Sequence, residues 1–582
     1  MKALRLLLPY LRRYKSKLIL GLIFITLFNV LITTVPFVVS GIIDTLRHNP
    51  SQTESIIERI ALLLVLTAIA GTFLFLTRRT IIVSSRLIEY DIRNDLLAAI
   101  QKQETAFFQE YPTGSLMALC TNDVSAVREF LGPAIMYSAN TITSFAFVFS
   151  AMFSLNWGLA LSALIPLPFM AYVTYRVGQK VHAAFKSVQE TYGELTVRAQ
   201  ESMSGIRVVR AYNTEMYEQG EFNEVSKHYA KKNIALSRIQ SLSMPAMMAL
   251  IGLSNVIVLG YGGYLVIHGQ LTEGILVQFL LYINRLIWPV AAIGWVTNLV
   301  QRAAASAIRL RSVINREPTY YSENNNIFEE ITPSIEFQNV SFSYAGAKPI
   351  LKNITFHIKE GKSLGIVGTT GSGKSTLVSL IPRLFDINEG NILIGGKSIK
   401  EISVSQLRHS ISLVNQEPFL FSMSIRENIA FSKLSCTEAE IISAAKAAEL
   451  HNDVMTFDKQ YDTLVGERGI TLSGGQKQRT ALARAIVRQP QILILDDSFS
   501  AVDTVTESKI LQSMKEVMKN RTSIIIAHRL SSVMNCDEII VLDEGRIIEH
   551  GTHDELLSVN GMYADMYERQ KLEEELQIGV NN

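Results

Sequence analysis

The sequence predicts an α-helical polytopic membrane domain, six long transmembrane helices extending into the cytoplasm, fused to an α/β phosphate-loop domain. Three observations predict it. Apolar stretches of bilayer-spanning length crowd the first 300 residues and then stop. Beyond them, strand-like and helix-like stretches alternate. Within that second half lies Gly368-Thr369-Thr370-Gly371-Ser372-Gly373-Lys374-Ser375-Thr376, which fits the pattern G-x-x-x-x-G-K-[ST]. Composition agrees. The 582 residues exceed one domain, and a hydrophobic fraction of 48% is high beside 19% charge. A net charge of +2 offers no global field for nucleic acid. Cys120, Cys436 and Cys536 are far apart in sequence, which argues against a disulfide framework or zinc site and suits thiols facing the cytosol.

Six spans follow from length and hydropathy, at about residues 18–43, 57–76, 134–153, 159–177, 246–267 and 275–300. Polar residues interrupt the third, and Pro166 and Pro168 the fourth. Lys and Arg concentrate before the first span and in the loops after the second and fourth, as in Arg12, Lys17, Arg78, Arg93, Lys180 and Arg210. The opposite loops hold Arg47 and little else that is basic. Both ends of the chain are therefore expected in the cytoplasm of a cell membrane, with no cleaved signal at Met1-Lys2-Ala3-Leu4-Arg5. Arg285 and Asn284 fall near the middle of the sixth span. A charge there either faces a wet path or ties helices together.

The basic loops 80–132 and 178–243 have helical periodicity. Folded out and back, each would reach roughly 35 Å. Tyr111-Pro112-Thr113-Gly114 and Ala211-Tyr212-Asn213-Thr214 are the expected turning points, either plain capping loops or contacts through which the soluble half pushes on the membrane half. The membrane domain thus covers residues 1–315. Residues 316–333, with two prolines and three consecutive asparagines, read as a linker. The α/β domain runs from 334 to 570, and 571–582 are a charged tail expected to be loose.

In that domain, Ser363-Leu364-Gly365-Ile366-Val367 reads as a buried strand and Leu377-Val378-Ser379-Leu380-Ile381 as the start of a helix, with the glycine loop between. Backbone N–H groups of Thr370, Gly371, Ser372, Gly373 and Thr376 would ring a phosphate chain, helped by the helix dipole. Lys374 would reach the terminal phosphates, and the Ser375 hydroxyl would sit on Mg²⁺. Tyr344 can stack on an adenine ring or simply belong to the core with Phe342. Ile492-Leu493-Ile494-Leu495 reads as a parallel strand that delivers Asp496 to its ligand-binding edge, opposite Ser375. Ser473-Gly474-Gly475-Gln476 opens a helix and makes an anion site.

With these motifs assembled, the chain resembles an ABC exporter half-transporter, of the multidrug and lipid type, along nearly its whole length. The resemblance implies an ABC ATPase domain that binds ATP and Mg²⁺ and pairs head to tail with that of a second half-transporter chain. Ser473, Gly474, Gly475 and Gln476 would then meet ATP on the partner's phosphate loop. It implies that Gln416 senses Mg²⁺ and the γ-phosphate, and that His528 contacts that phosphate. Ser500-Ala501-Val502-Asp503 resembles the family's inter-subunit loop, and Val465-Gly466-Glu467-Arg468-Gly469 its link to the membrane domain.

One departure bears on subtype. After Asp496 the family has Glu as general base; here it is Asp497, whose carboxylate retracts by roughly 1.3–1.5 Å. This resembles the degenerate subunit of bacterial heterodimeric multidrug exporters, whose own site turns over slowly. A homodimer that tolerates Asp is the alternative, as a lipid flippase or peptide exporter. A nucleotide-gated channel is a third reading. Substrates are expected to be hydrophobic or amphipathic small molecules taken from the bilayer or cytoplasm, with no role for nucleic acid.

Overall fold

The computed structural model describes residues 2–48, 51–318, 331–344, 346–433, 435–499 and 504–580. They form two compact units, Met1–Gln101 with Tyr111–Arg316, and Lys102–Glu110 with Glu317–Asn582. Of the linker, residues 319–330 lie outside the described part.

In the first unit five helices among the described residues are long and apolar enough to cross a membrane: Lys15–His48, Thr53–Gln101, Thr113–Leu155, Met248–Ile267 and Glu273–Ile314. The fourth expected span is divided between Trp157–Leu164 and Pro166–Ser204 and is not one of the five. Pro166 starts the second of these, where a missing N–H leaves no helical bond unmade. The 49 residues of Thr53–Gln101 rise roughly 70 Å, more than twice a hydrocarbon core, so this helix continues far beyond its apolar stretch.

Both expected turning points interrupt helices, each beside a short helix. Thr105–Glu110 lies between breaks at 102–104 and 111–112, and Thr113 and Gly114 already belong to the next helix. Ile206–Ala211 lies between Gly205 and residues 212–214, where Asn213 takes φ 54°, a left-handed conformation that Asn tolerates.

Polar side chains tie the first, third and sixth spans. Asn29 Nδ2 donates to Asn140 Oδ1 at 3.0 Å and to Thr143 Oγ1 at 2.9 Å, while Arg285 Nη2 donates to Asn29 Oδ1 at 2.9 Å. Tyr282 OH donates to the carbonyl of Thr33 at 3.0 Å. Arg285 is thus joined across helices. At the far end, Asp44 accepts from Thr272 Oγ1 at 2.8 Å and Gly274 N at 2.9 Å. A Cβ on Gly274 would come within 2.3 Å of the Ser40 carbonyl, so glycine lets the two helices approach here.

The second unit has two sheets. One is four-stranded and antiparallel, in the order β2 (Leu351–Ile358), β1 (Ile335–Phe342), β4 (Glu389–Ile394), β5 (Lys397–Ser398). The other has six strands, ordered β10 (Arg546–Gly551), β9 (Glu538–Asp543), β3 (Ser363–Gly368), β8 (Thr522–Ile526), β7 (Ile492–Asp496), β6 (Ile411–Val414). From β9 to β6 all neighbours are parallel. Strands β7 and β8 are buried at every residue, as the Ile492–Leu495 and Ile524–Ile526 runs of central parallel strands covered on both faces should be. Residues 571–580, expected to be a loose tail, continue the helix Met562–Val580. Leu572, three glutamates and a glutamine are good helix formers that extend a helix already begun. All three cysteines are free, and burial pushes the Cys536 thiol up to about 12.

Candidate nucleotide-binding site

Because β3, β8, β7 and β6 are parallel neighbours, the segments that follow them emerge along one edge of the sheet. The glycine loop follows β3, His528 follows β8, Asp496 and Asp497 close β7, and Gln416 follows β6. Four motifs spread over more than a hundred residues of sequence are thereby collected at the edge where open α/β sheets bind ligands.

The loop bends through Gly368, Gly371 and Gly373 at φ 149°, 83° and 102°. Side chains are excluded at Gly368, where a Cβ would lie 2.0 Å from the Leu542 carbonyl. Helix Lys374–Leu380 starts directly after Gly373. Lys374 Nζ donates to the loop's own carbonyls, Gly368 O at 2.9 Å and Thr369 O at 2.8 Å. Burial holds its ammonium below the usual lysine range, against the pull of Asp496 and Asp497. Ser372 Oγ is buried without a hydrogen-bond partner.

Ser375 Oγ donates to Asp496 Oδ1 at 3.0 Å. Burial raises the Asp496 carboxyl above its usual value, and the Ser375 hydroxyl is the first of the groups that oppose it. Gln416 Nε2 donates to Asp497 Oδ2 at 3.2 Å, and Asp497 sits at φ 45° with its N–H on the Ile526 carbonyl at 2.9 Å. Tyr344 packs edge-on against Phe342 and Phe385, with centroids 5.0 and 5.1 Å away. Its hydroxyl meets Thr376 Oγ1 at 3.2 Å, so the aromatic ring flanks the loop.

These residues fit a magnesium nucleotide. An ammonium whose described hydrogen bonds go to neutral carbonyls and an orphaned serine hydroxyl both suit a phosphate chain. The Ser375–Asp496 oxygen pair suits Mg²⁺, which commonly takes few protein ligands and completes its shell with phosphates and water. No cluster of three metal-binding side chains occurs among the described residues.

The serine–glycine loop is a separate surface. Ser473 Oγ accepts from Gln476 N at 3.2 Å and Gln476 Oε1 accepts from Ser473 N at 3.0 Å, a capping box that starts helix Gly474–Val487. Its described hydrogen bonds run within itself and to Asp453, none to the phosphate loop, and Ser473 and Gly474 are exposed. Residues 465–469 form one turn, Glu467–Gly469, followed by Ile470, which is 79% exposed. Ser500-Ala501-Val502-Asp503 lie outside the described residues.

Supporting residues were missed in the sequence. Asp453 takes both Gln476 Nε2 at 3.1 Å and Arg479 Nη2 at 2.7 Å, bracing the serine–glycine loop from behind. Asp543 accepts from Thr369 Oγ1 at 2.8 Å and anchors the phosphate loop to β9. Arg479, three residues past Gln476, was the only local hint.

Comparison with known proteins supports the same arrangement. Residues 18–290 match the family described as ABC transporter transmembrane region, and 351–500 match the family described as ABC transporter. The chain is 36% identical to the probable multidrug resistance ABC transporter ATP-binding/permease protein YheI of Bacillus subtilis, over 97% of each chain. It is 38% identical to the ATP-dependent lipid A-core flippase of Syntrophus aciditrophicus, over 84% of this chain and 82% of that one. The structure of a bacterial Atm1-family ABC exporter with ATP bound superposes with a TM-score of 0.81 at 28% identity, over 96% of this chain and 99% of the other.

Proposed function

Because this chain belongs to the ABC transporter family, with membrane and ATPase regions on one polypeptide, we propose that it is one half of a drug or lipid exporter. As a member it is an ATPase whose hydrolysis is coupled to transport across a membrane. In the reading put forward here it moves amphipathic or hydrophobic compounds out of the cytoplasm or inner leaflet. It lies in a bacterial inner membrane with the ATPase unit and both termini in the cytoplasm.

Two composite sites form when this chain pairs with another. At one, this chain's phosphate loop binds ATP and the partner's serine–glycine loop closes over it. At the other, Ser473 to Gln476 complete the partner's site. The exposed, self-capped loop at Ser473 supports that division, since Ser473 and Gly474 are open at the start of a helix. Lys374 and the loop amides hold the phosphates, Tyr344 flanks the base, and His528 contacts the γ-phosphate. When bound between Ser375, Asp496 and the nucleotide, with Gln416 nearby, Mg²⁺ supplies charge neutralisation at the β- and γ-phosphates. ATP favours the closed pair of ATPase units because it binds that state better, and closure reorients the spans. Hydrolysis and phosphate release reset them.

Asp497 carries the subtype. Its carboxylate is already held by Gln416, on a shorter stem than Glu and in a left-handed backbone conformation. That keeps it back from the water a general base must reach. This chain's own site therefore holds ATP with slow turnover, and a paralogous partner with an intact Glu hydrolyses at the other. Asp497→Glu should raise hydrolysis at this site about tenfold or more in a complex whose partner site is disabled. An unchanged rate there would sink the slow-site reading.

A homodimeric lipid flippase is the second reading, favoured by the similarity to the lipid A-core flippase. Transport into inverted vesicles, measured with this chain alone and with a candidate partner, separates the two. Full ATP-driven uptake by the single chain supports the homodimer; uptake only with the partner supports the pair.

A further inference from the structure

The segment that carries His528 is fastened by a residue outside the nucleotide motifs. Gln570, on helix Met562–Val580, donates from Nε2 to the His528 carbonyl at 2.6 Å and accepts at Oε1 from Leu530 N at 2.8 Å. The two bonds bracket Arg529, which is held extended at φ −97°, ψ 125°. A side-chain amide that takes the carbonyl of one residue and the N–H two residues on replaces the neighbouring strand that β8 loses after Ile526. It leaves the His528 side chain exposed while its backbone is held.

The same segment is tied from the other side. Arg529 Nη1 donates to Glu507 Oε2 at 2.5 Å and Ser532 Oγ donates to Glu507 Oε1 at 2.7 Å, with Glu507 only 3% exposed. Both outer bonds use side chains after His528, so they anchor the segment's far end. Gln570 alone grips the histidine's own peptide group among the described hydrogen bonds. His528 lies just after β8, the strand beside β7 and Asp496, so a shift of this backbone moves the ring relative to that edge of the sheet.

We propose that Gln570 is a positioning residue for His528, through which the C-terminal helix sets the distance between the imidazole and the γ-phosphate. The proposal rests on the assignment of His528 to that phosphate. It therefore predicts a loss specific to nucleotides that carry a γ-phosphate. ADP binding depends on Lys374 and the loop amides and should be spared.

The test is the ratio of magnesium–ATP to magnesium–ADP affinity at this chain's site, in the full-length assembled transporter, by competition against a fluorescent nucleotide. His528→Ala should lower the ratio about tenfold. Gln570→Ala should lower it by several-fold with ADP affinity unchanged, and adding it to His528→Ala should lower it no further. Gln570→Glu keeps the volume and the bond from Leu530 N but sets a carboxylate oxygen against the His528 carbonyl. It should also lower the ratio, and it serves if the alanine variant folds poorly. A normal ratio in His528→Ala overturns the histidine's assignment and the positioning role with it. A low ratio in His528→Ala beside a normal one in both Gln570 variants overturns the positioning role alone. A fall in ATP and ADP affinity together would make Gln570 a structural residue, which also overturns it.

Discussion

In the membrane unit Thr26, Thr34, Thr67 and Thr72 each donate to the carbonyl four residues earlier in their own helix, at 2.8, 3.1, 2.5 and 3.0 Å. In the ATPase unit Ser424, Thr437, Ser473 and Thr552 instead each start a helix, and every one forms a reciprocal capping box with the Glu or Gln three residues on. The same hydroxyl chemistry is put to opposite uses. A hydroxyl inside a span has no water, so it must be satisfied by the turn beneath it. Three of the four helices capped in the ATPase unit are 6, 7 and 10 residues long, and water competes for their first N–H groups, so the ends decide whether they form. Polar groups that join separate elements tie helix to helix in the membrane unit, as in Arg285–Asn29–Asn140 and Arg309–Asp123, whereas in the ATPase unit they also assemble the site.

The largest test of that contrast is at the site. Lys374→Ala should weaken ATP at this chain's own site by about a hundredfold or more, since it removes the one buried ammonium of the loop. Equilibrium binding near the wild-type value would put the phosphates elsewhere. In the membrane unit, Asn29→Leu leaves the Arg285 guanidinium without its acceptor and should cost about 2–3 kcal/mol of stability. Unfolding in lipid nanodiscs measures it, and pairing the change with Arg285→Leu should return part of the loss. A double variant that loses as much as the two single variants added together would mean that the two residues act separately.

Smaller effects sharpen the comparison. Thr437→Ala should cost about 1 kcal/mol, the usual value of an N-cap. Asp496 tests the sign of the site's electrostatics. Its carboxyl is raised in the folded protein, so its contribution to stability is complete below the ordinary Asp value and is lost as pH rises through the raised one. Asp496→Asn should therefore raise the melting temperature of the nucleotide-free protein at pH 7 to 8, by a few degrees at most, and the gain should shrink on acidification. A melting temperature that falls at all pH values would contradict this. Thr26→Ala should be the mildest, within about 0.5 kcal/mol. A loss as large as that of Thr437→Ala would erase the distinction between the two units.

Reading the chain by periodicity located β7 to the residue and placed five of the six spans on long apolar helices, two of which, Thr53–Gln101 and Thr113–Leu155, run well past the expected bounds. It failed where hydropathy and proline pull apart, at residues 159–177, and where charge suggested a loose end that in fact stays helical. The phosphate loop, Asp496, the serine–glycine loop and Asp497 were legible because each is a short run with its own backbone requirement. Gln570, Asp453 and Asp543 were not, since a lone polar residue in a helix or at a strand end has no such signature.

By itself the sequence determined the kinds of parts: spans long enough for a bilayer, a glycine loop that only a phosphate needs, an aspartate where a glutamate is expected. Those follow from local rules, hydrophobic length and backbone conformation, that operate over a few turns of chain. Only the tertiary structure decided which parts meet. The strand order that sets β8 between β3 and β7, the bond from Gln416 to Asp497, and the grip of Gln570 on His528 join residues 42 to more than 150 positions apart. Such pairs form only when burial of the whole sheet brings the elements together, and no short stretch of sequence contains that energy.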